Sequence, residues 1–122
     1  MTPLAAGRRL LEIRTYRLKP GAMQGLQDAM REVVVPMLQR HGMDVVAHGR
    51  SDHEAQTCFL VRSYKDRSAL ESEQSAFYAS QAWKQGPRAL LIDRIETYVN
   101  TLLWCSDEGV EAMRTLNAEQ TP

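Results

Sequence analysis

The sequence predicts an α+β fold in which four antiparallel strands form one sheet and two helical segments cover one of its faces. Three observations support this. The chain has 122 residues, enough for one domain with a single core. Segments that alternate apolar and polar residues are interleaved with segments that repeat apolar residues at spacings of three and four. Their order is strand, helix, strand, strand, helix, strand, which is that of a ferredoxin-like βαββαβ domain.

The first predicted strand has two unlike faces, because side chains alternate along a pleated strand. Leu11 and Ile13 fall on a face suited to a core, whereas Glu12, Arg14 and Tyr16 fall on the opposite face. A strand with a purely structural role would not need these polar groups. The polar face is therefore expected to line a site.

The next segment predicts a long helix that is bent. Apolar residues recur at helical spacing from Met23 to His41, and Gly42 supplies a common helix end. Pro36 lies inside this pattern, where proline removes a backbone hydrogen bond and crowds the carbonyl four residues earlier. We therefore expect a kink or a break between Glu32 and Pro36.

The middle of the chain predicts a hairpin followed by two capped helices. Residues 43–51 and 56–64 alternate as strands and are joined by a short charged loop. Asp66 has the side chain of a helix N-cap, and Ser80 is a second cap before a short turn that Gly86 closes.

The C-terminal third predicts a short helix, a last strand and a tail. Pro87 suits the first position of a helix, and residues 94–104 alternate as a strand. The polar tail, residues 105–122, carries a thin apolar stripe and is expected to form a short helix or to stay frayed. The domain is thus predicted to span residues 10–104.

Composition limits the partners of this domain. Lysine plus arginine equals aspartate plus glutamate at 15 each, so no net charge attracts nucleic acid or an anionic membrane. Cys58 and Cys105 lack CxxC spacing, which favours reduced thiols and a cytoplasmic location. Because we find neither a signal-peptide run nor about 18 consecutive apolar residues, we expect a soluble protein.

A sheet with helices on one face leaves its other face uncovered. Two copies can bury that face by closing their sheets into a barrel, so we expect a homodimer with the architecture of a dimeric α/β barrel.

Three segments resemble the NIPSNAP family of bacterial proteins. They are EIRTYRLKPG at Glu12–Gly21, VPMLQRHGM at Val35–Met43 and FYASQAWKQGPR at Phe77–Arg88, and the likeness spans about residues 10–104. The resemblance implies the dimeric α/β barrel superfamily, which includes small monooxygenases, haem-degrading enzymes and stress proteins. Most NIPSNAP members are uncharacterised, so the resemblance implies no particular reaction.

The resemblance also implies that the polar face of the first strand lies inside the barrel. Arg14 would bind a substrate carboxylate, and Tyr16 would donate to a carbonyl or act as an acid. The same face could instead form a cross-strand ion pair beside a solvated tyrosine. His48 titrates near neutral pH and could act as a base or ligand, although single strand histidines are more often structural polar residues.

Other residues extend this candidate site. Arg88 follows a glycine stop and a proline-started helix, which is either a small anion site or a helix joint with a surface arginine. Trp83 is either a stacking platform for a ligand or a core residue. The catalytic candidates are His48 and Tyr16, and the substrate-binding candidates are Arg14, Arg62, Tyr98, Arg88 and Trp83.

No motif predicts a metal or a cofactor. The three histidines lack the paired spacing of a zinc site, and phosphate loops and nucleophile elbows are not found. Three functions remain open. They are a small cofactor-independent enzyme acting on an organic metabolite, a non-catalytic ligand-binding or sensing dimer, and a haem-binding or monooxygenase-like protein. The third requires His48 or His41 to face a large apolar pocket.

Overall fold

The structure, a computed structural model, describes residues 7–120. Residues 1–6, part of the N-terminal segment considered above, and residues 121–122 of the tail lie outside the described residues. The elements in chain order are β1 Arg8–Leu18, α1 Met23–Ala29, a π-helical turn Met30–Val34, α2 Val35–Arg40, β2 Asp44–Arg50, β3 Thr57–Tyr64, α3 Arg67–Ala79, α4 Gln81–Gln85, α5 Arg88–Arg94, β4 Ile95–Ser106 and α6 Asp107–Gln120. The predicted order of strands and helices is confirmed.

The four strands form one antiparallel sheet in the order β2-β3-β1-β4. Directly paired residues of antiparallel strands share a face. Glu12 therefore lies beside Arg62 on β3 and Leu102 on β4, and Arg14 lies beside Asn100 on β4. The predicted ferredoxin-like α+β fold is confirmed, and β1 brings polar residues of three strands together.

The predicted irregularity before Pro36 is a π-helical turn. The backbone N–H of Val35 donates to the carbonyl of Met30, five residues earlier. The wider turn accommodates the proline, which has no N–H to donate and would crowd an ordinary α-helical turn. The helical backbone continues through the turn from α1 to α2, so the segment does not break.

Gly42 ends α2 with a left-handed backbone, at φ +78°. Its N–H donates to the carbonyl of Gln39 at 3.0 Å, and the N–H of Met43 donates to the carbonyl of Leu38 at 3.0 Å. This pair of bonds is a Schellman motif, which satisfies carbonyls at the helix end and turns the chain into β2.

Side-chain caps set the start of α3 and α4 as predicted. Asp66 accepts from the N–H of Ala69 at 2.8 Å, and Ser80 accepts from the N–H of Trp83 at 3.2 Å. Pro87, expected to be the first helical residue, is instead the N-cap of α5. The reason is that its carbonyl accepts the first helical bond, from Leu91, as an N-cap carbonyl does.

Both faces of the sheet carry helices. The segments from α1 to α5 pack on the face of Leu10 and Leu18, whereas α6 packs on the opposite face. There Val110 is fully buried against Leu11 and Val61. The expectation of a wholly uncovered face is therefore wrong, because the tail is a 14-residue helix whose apolar stripe covers part of it.

Helix α6 also covers the outer edge of β2. The amide of Asn117 donates to the carbonyl of His48 at 3.0 Å, and its oxygen accepts from the N–H of His48 at 3.3 Å. The guanidinium of Arg114 donates to the carbonyl of Val45 at 2.9 Å. These contacts satisfy backbone groups that an edge strand would otherwise leave unpaired.

Cys58 is buried, Cys105 is half-buried, and both are free thiols. Within residues 7–120, the helices are too short or too polar to cross a membrane.

We predict that Gly42→Ala lowers the free energy of unfolding by about 1–2 kcal/mol, because alanine is strained in the left-handed region. An added Cβ meets nothing within 4 Å, so the loss reports backbone strain alone. Gly42→Asn is the matched control and should lose less, since asparagine tolerates this conformation. Urea unfolding measures both. Equal stability of all three proteins would contradict the prediction.

Candidate functional site

The centre of the site is the carboxylate of Glu12, which is 2% exposed in the middle of β1. Its Oε1 accepts from Nε of Arg62 at 2.8 Å and lies 2.7 Å from Nη2 of the same guanidinium. The Tyr64 hydroxyl donates to Oε1 at 3.2 Å. A buried charge is tolerated only when it is paired and hydrogen-bonded, and Glu12 meets both conditions.

The other carboxylate oxygen, Oε2, ties the remaining elements to β1. The amide of Gln74 on α3 donates to it at 2.9 Å, and the amide of Asn100 on β4 lies at 3.4 Å. Nη2 of Arg14 is 3.7 Å away, beyond hydrogen-bond distance. Glu12 is therefore saturated by β3, α3 and β4, while Arg14 is only loosely attached to it.

Tyr78 completes the site from the C-terminal end of α3. It lies four positions after Gln74, so both side chains lie on the same face of α3, toward the sheet. Its hydroxyl oxygen accepts from Nη1 of Arg62 at 3.1 Å and from Nη1 of Arg14 at 3.3 Å. Because two donors occupy the oxygen, the hydroxyl hydrogen remains for another acceptor.

Burial and charge set the protonation states of these groups. Burial raises the pKa of Tyr16 to about 12, and Arg14 only partly opposes this effect. Burial alone would lower the pKa of Arg14, but attraction to Tyr78 and Tyr16 raises it. Burial likewise would lower the pKa of Arg62, but attraction to Tyr78 and Tyr64 raises it. Near neutral pH both guanidiniums are charged and Tyr16 is neutral.

A cavity of about 290 Å³, here called the cleft, opens above these groups between the sheet and the helices. Its walls are mainly apolar and aromatic residues of the helices, Met30, Val34, Leu38, Phe77, Trp83, Leu91 and Ile92. Its polar lining consists of Arg14, Tyr16, Arg62, Tyr78, Glu96, Thr97 and Tyr98. Such a mixture is typical of small-molecule sites.

Aromatic contacts hold the upper wall of the cleft. The ring of Phe77 lies 5.1 Å from that of Tyr78 and 5.4 Å from that of Trp83, and Tyr78 and Trp83 are 5.3 Å apart. On the sheet side, the Arg14 guanidinium lies 4.7 Å from the centre of the Tyr98 ring. Edge and cation–π contacts of this kind fix ring orientation.

Five of the residues proposed from the sequence, Arg14, Tyr16, Arg62, Trp83 and Tyr98, line the cleft together. These residues lie beneath the helices of their own chain. Tyr16, for example, is part of the hydrophobic core that the helices form with β1. This differs from the expected position inside a barrel of two sheets.

His48 and Arg88 lie elsewhere. His48 is on the edge strand β2 and borders a groove with Arg114 and Asn117, two strands away from Arg14. Burial lowers the pKa of His48, and Arg31 lowers it further. Arg88 is exposed at the start of α5 and does not line the cleft.

The haem hypothesis needed a histidine facing a large apolar pocket. His41 is exposed, with Nδ1 3.0 Å from the carbonyl of Met37, and neither it nor His48 lines the cleft. Among the described residues, we find no group of three histidine, cysteine or acidic side chains placed to hold a metal ion.

Sequence reasoning did not select Tyr78 or Gln74 as site residues. Their spacing of four on a predicted helix was an available signal, because it places two polar side chains on the face that packs on the sheet. That they meet Glu12, Arg14 and Arg62 depends on strand pairing across 50 to 86 residues of sequence, as between Glu12 and Arg62 or Arg14 and Asn100.

The fold and the cleft define a ferredoxin-like α+β domain with a buried carboxylate–arginine–tyrosine site beneath its helices. The NIPSNAP family model matches residues 11–106, and the chain belongs to the NIPSNAP family. No curated protein matches the sequence.

Solved structures share this fold. A NIPSNAP family protein of unknown function from Agrobacterium tumefaciens is 19% identical, with a TM-score of 0.74 over 83% of this chain and 91% of that chain. An uncharacterised NIPSNAP-like domain protein from Burkholderia xenovorans is 16% identical, with a TM-score of 0.68 over 78% and 83%. A Nitrosomonas europaea protein, named as a candidate antibiotic biosynthesis monooxygenase, is 15% identical, with a TM-score of 0.59 over 77% and 95%. At these identities the likeness concerns the fold alone.

We predict that Glu12→Gln lowers the free energy of unfolding by about 3–5 kcal/mol, because it leaves the buried Arg62 charge without its partner. Glu71→Gln is the matched control, since Glu71 pairs with Arg67 at 3.3 Å on the exposed face of α3. That exposed pair should contribute little. Urea unfolding compares the two variants, and losses of equal size would contradict a central role for Glu12.

Proposed function

We propose that the chain binds a small organic molecule in the cleft and catalyses proton transfer on it, with Tyr78 as the group that gives and recovers the proton. One observation carries this proposal. The hydroxyl oxygen of Tyr78 accepts hydrogen bonds from two charged guanidiniums, those of Arg14 and Arg62.

The two arginines suit Tyr78 to this task. When its hydroxyl gives up a proton, negative charge develops on the oxygen, where two preorganised cationic donors already point. A bound enol is a fitting substrate. Tyr78 protonates the enol carbon, and the enol hydroxyl then returns its proton to the Tyr78 oxygen. One O–H bond is exchanged for one C–H bond, no electrons leave the ligand, and no cofactor is required.

The dimensions of the cleft limit the substrate. Its volume of about 290 Å³ lies at the lower end of the range of small-molecule pockets, about 300–1,000 Å³. Aromatic walls formed by Phe77 and Trp83 favour a flat, apolar body. We therefore propose a substrate the size of a single aromatic ring with a short carbonyl-bearing side chain.

The ligand-binding or sensing function is the second candidate. Glu12, the buried carboxylate nearest to the cleft, is fully engaged by Arg62, Tyr64 and Gln74, so it does not serve as a free base. A cleft that binds a ligand without catalysing a reaction on it would be consistent with these hydrogen bonds of Glu12.

We also propose that a second copy of the chain pairs with β4. This strand lies at the edge of the sheet, and α6 covers the other edge, that of β2. From Thr97 to Ser106 it carries no charge, and Tyr98, Val99, Leu103 and Trp104 are exposed. Two uncharged β4 strands can approach each other without repulsion, and such a long apolar edge is otherwise a risk for aggregation.

We predict that the protein accelerates deuterium exchange at the C3 carbon of phenylpyruvate in D₂O, measured by proton NMR. Tyr78→Phe should slow this exchange by about a hundredfold, the size of a lost general acid. Glu71→Gln, which alters an exposed residue of α3 outside the cleft, should leave the rate unchanged.

A Tyr78→Phe rate equal to that of the unmodified protein would contradict the role of Tyr78. Binding of phenylpyruvate without any acceleration would replace catalysis with the ligand-binding or sensing function.

We predict a dimer in light scattering at micromolar concentration. Val99→Lys should convert it to a monomer, because Val99 on β4 is 66% exposed in the single chain and lysine there would place like charges opposite each other. Leu116→Lys on α6, 56% exposed, is the matched control and should remain dimeric. A monomeric unmodified protein, or dissociation of both variants, would contradict pairing through β4.

A further inference from the structure

We infer that the ligand of the cleft is a carboxylate anion and that Arg14 is the residue that binds it. This inference rests on the proposed binding of a small molecule in the cleft, and it names the chemical class of that molecule.

The charges buried around the cleft do not balance. Glu12 contributes one negative charge, whereas Arg14 and Arg62 contribute two positive ones. Glu96 also lines the cleft, but it is exposed at the mouth, where water screens its charge. One carboxylate therefore faces two guanidiniums, and the floor of the cleft keeps one net positive charge that an anionic ligand would balance.

The two arginines differ in what they can offer a ligand. Arg62 is 1% exposed, gives Nε to Glu12 and Nη1 to Tyr78, and has Nη2 2.7 Å from Glu12. Nη2 makes no hydrogen bond, but it is buried against Glu12 and is not exposed to the cleft. Arg62 therefore holds the site in place and is not available to a ligand.

Arg14 is held more loosely, and its hydrogen bonds go only to neutral acceptors. Its Nε donates to the amide oxygen of Asn100 at 2.9 Å, and its Nη1 donates to Tyr78 at 3.3 Å. Nη2 is 3.7 Å from the nearest described carboxylate oxygen, that of Glu12. The Nη2 hydrogens can therefore reach a ligand, and a carboxylate is the acceptor that guanidinium donors bind best.

The position of Arg14 fits a ligand with an acidic head and an apolar body. Its guanidinium rests on the ring of Tyr98, so it is restrained before any ligand arrives. The aromatic wall of Phe77 and Trp83 stands on the opposite side of the cleft and would contact the body of the ligand. An acid head at Arg14 would also bring the neighbouring atoms of the ligand to the Tyr78 hydroxyl.

The tryptophans of the chain provide a direct test. Trp83 lines the cleft, whereas Trp104, the second of the two tryptophans, does not and lies 4.0 Å from the Arg8 guanidinium. In Trp104→Phe, fluorescence therefore reports on Trp83 alone. Benzoate and benzamide have the same shape and differ in charge, and both are titrated with excitation at the red edge of tryptophan absorption.

We expect benzoate to bind about tenfold more tightly than benzamide, the difference that one charge-assisted contact produces. Arg14→Gln in the same background should reduce benzoate affinity to the level of benzamide and leave benzamide affinity unchanged. Arg14→Lys should retain part of the preference for benzoate. This variant replaces Arg14→Gln in the test if the glutamine variant is unstable. Arg17→Gln, on the opposite face of β1 and paired with Glu54, is the matched control and should change neither affinity.

Equal binding of benzoate and benzamide, or a preference that survives Arg14→Gln, would overturn the assignment of an anion to Arg14. Neither result would affect proton transfer by Tyr78, which is measured separately by deuterium exchange. No response of Trp83 to either compound would instead contradict the cleft as a binding site, and with it the proposed function.

Discussion

The pairing of the Glu12 carboxylate with the Arg62 guanidinium is the interaction on which the other contacts of the site depend. It joins the two central strands, and its remaining lone pairs hold α3 through Gln74 and β4 through Asn100. Removing two charges from water costs several kcal/mol for each ion in proteins. That cost is offset only because donors from three elements converge on one carboxylate. The arrangement therefore requires the sheet register and the docking of α3 to be correct at the same time.

A well-packed apolar pair would usually be at least as stable as a buried ion pair, so stability alone does not explain this one. The effect of this ion pair on the neighbouring groups explains it. Glu12 fixes the Arg62 guanidinium so that Nη1 points at the Tyr78 hydroxyl. It approaches Arg14 only to 3.7 Å, so the hydrogen bonds of Arg14 go to neutral groups and its Nη2 donors stay unused. The network thus gives Arg62 a structural role and leaves Arg14 available for the proposed ligand. Electrostatic groups fixed in advance in this way are what a proton-transfer site needs, because they do not have to reorganise when charge develops.

Local signals in the sequence were sufficient to predict the helices and strands. They could not predict contacts between residues that are far apart in the chain. Asp66, Ser80 and Gly42 act on backbone groups within a few residues, so they predict helix ends correctly. Alternation on β1 separates Glu12, Arg14 and Tyr16 from their neighbours, but it does not reveal which face the helices cover. On β2 a register shift between Val45 and Ala47 interrupts the alternation, and His48 then pairs with Leu60 at the sheet edge. Neither the bulge nor the contact of Tyr78 with two arginines follows from residue spacing.

One edge of the sheet is covered and the other is not, and this links the proposed dimer to the cleft. Helix α6 covers β2 with side-chain hydrogen bonds, while β4 keeps an uncharged, partly apolar surface. The same β4 supplies Thr97 and Tyr98 to the lining of the cleft, and the adjoining α5 supplies Ile92, which is exposed. A second copy seated on β4 would therefore lie beside the mouth of the cleft and restrict how a ligand enters. Because Tyr98 also carries the Arg14 guanidinium on its ring, a contact that moved this tyrosine would move the proposed anion-binding group with it. On this argument the proposed dimer and the proposed ligand site would be coupled through one side chain, Tyr98.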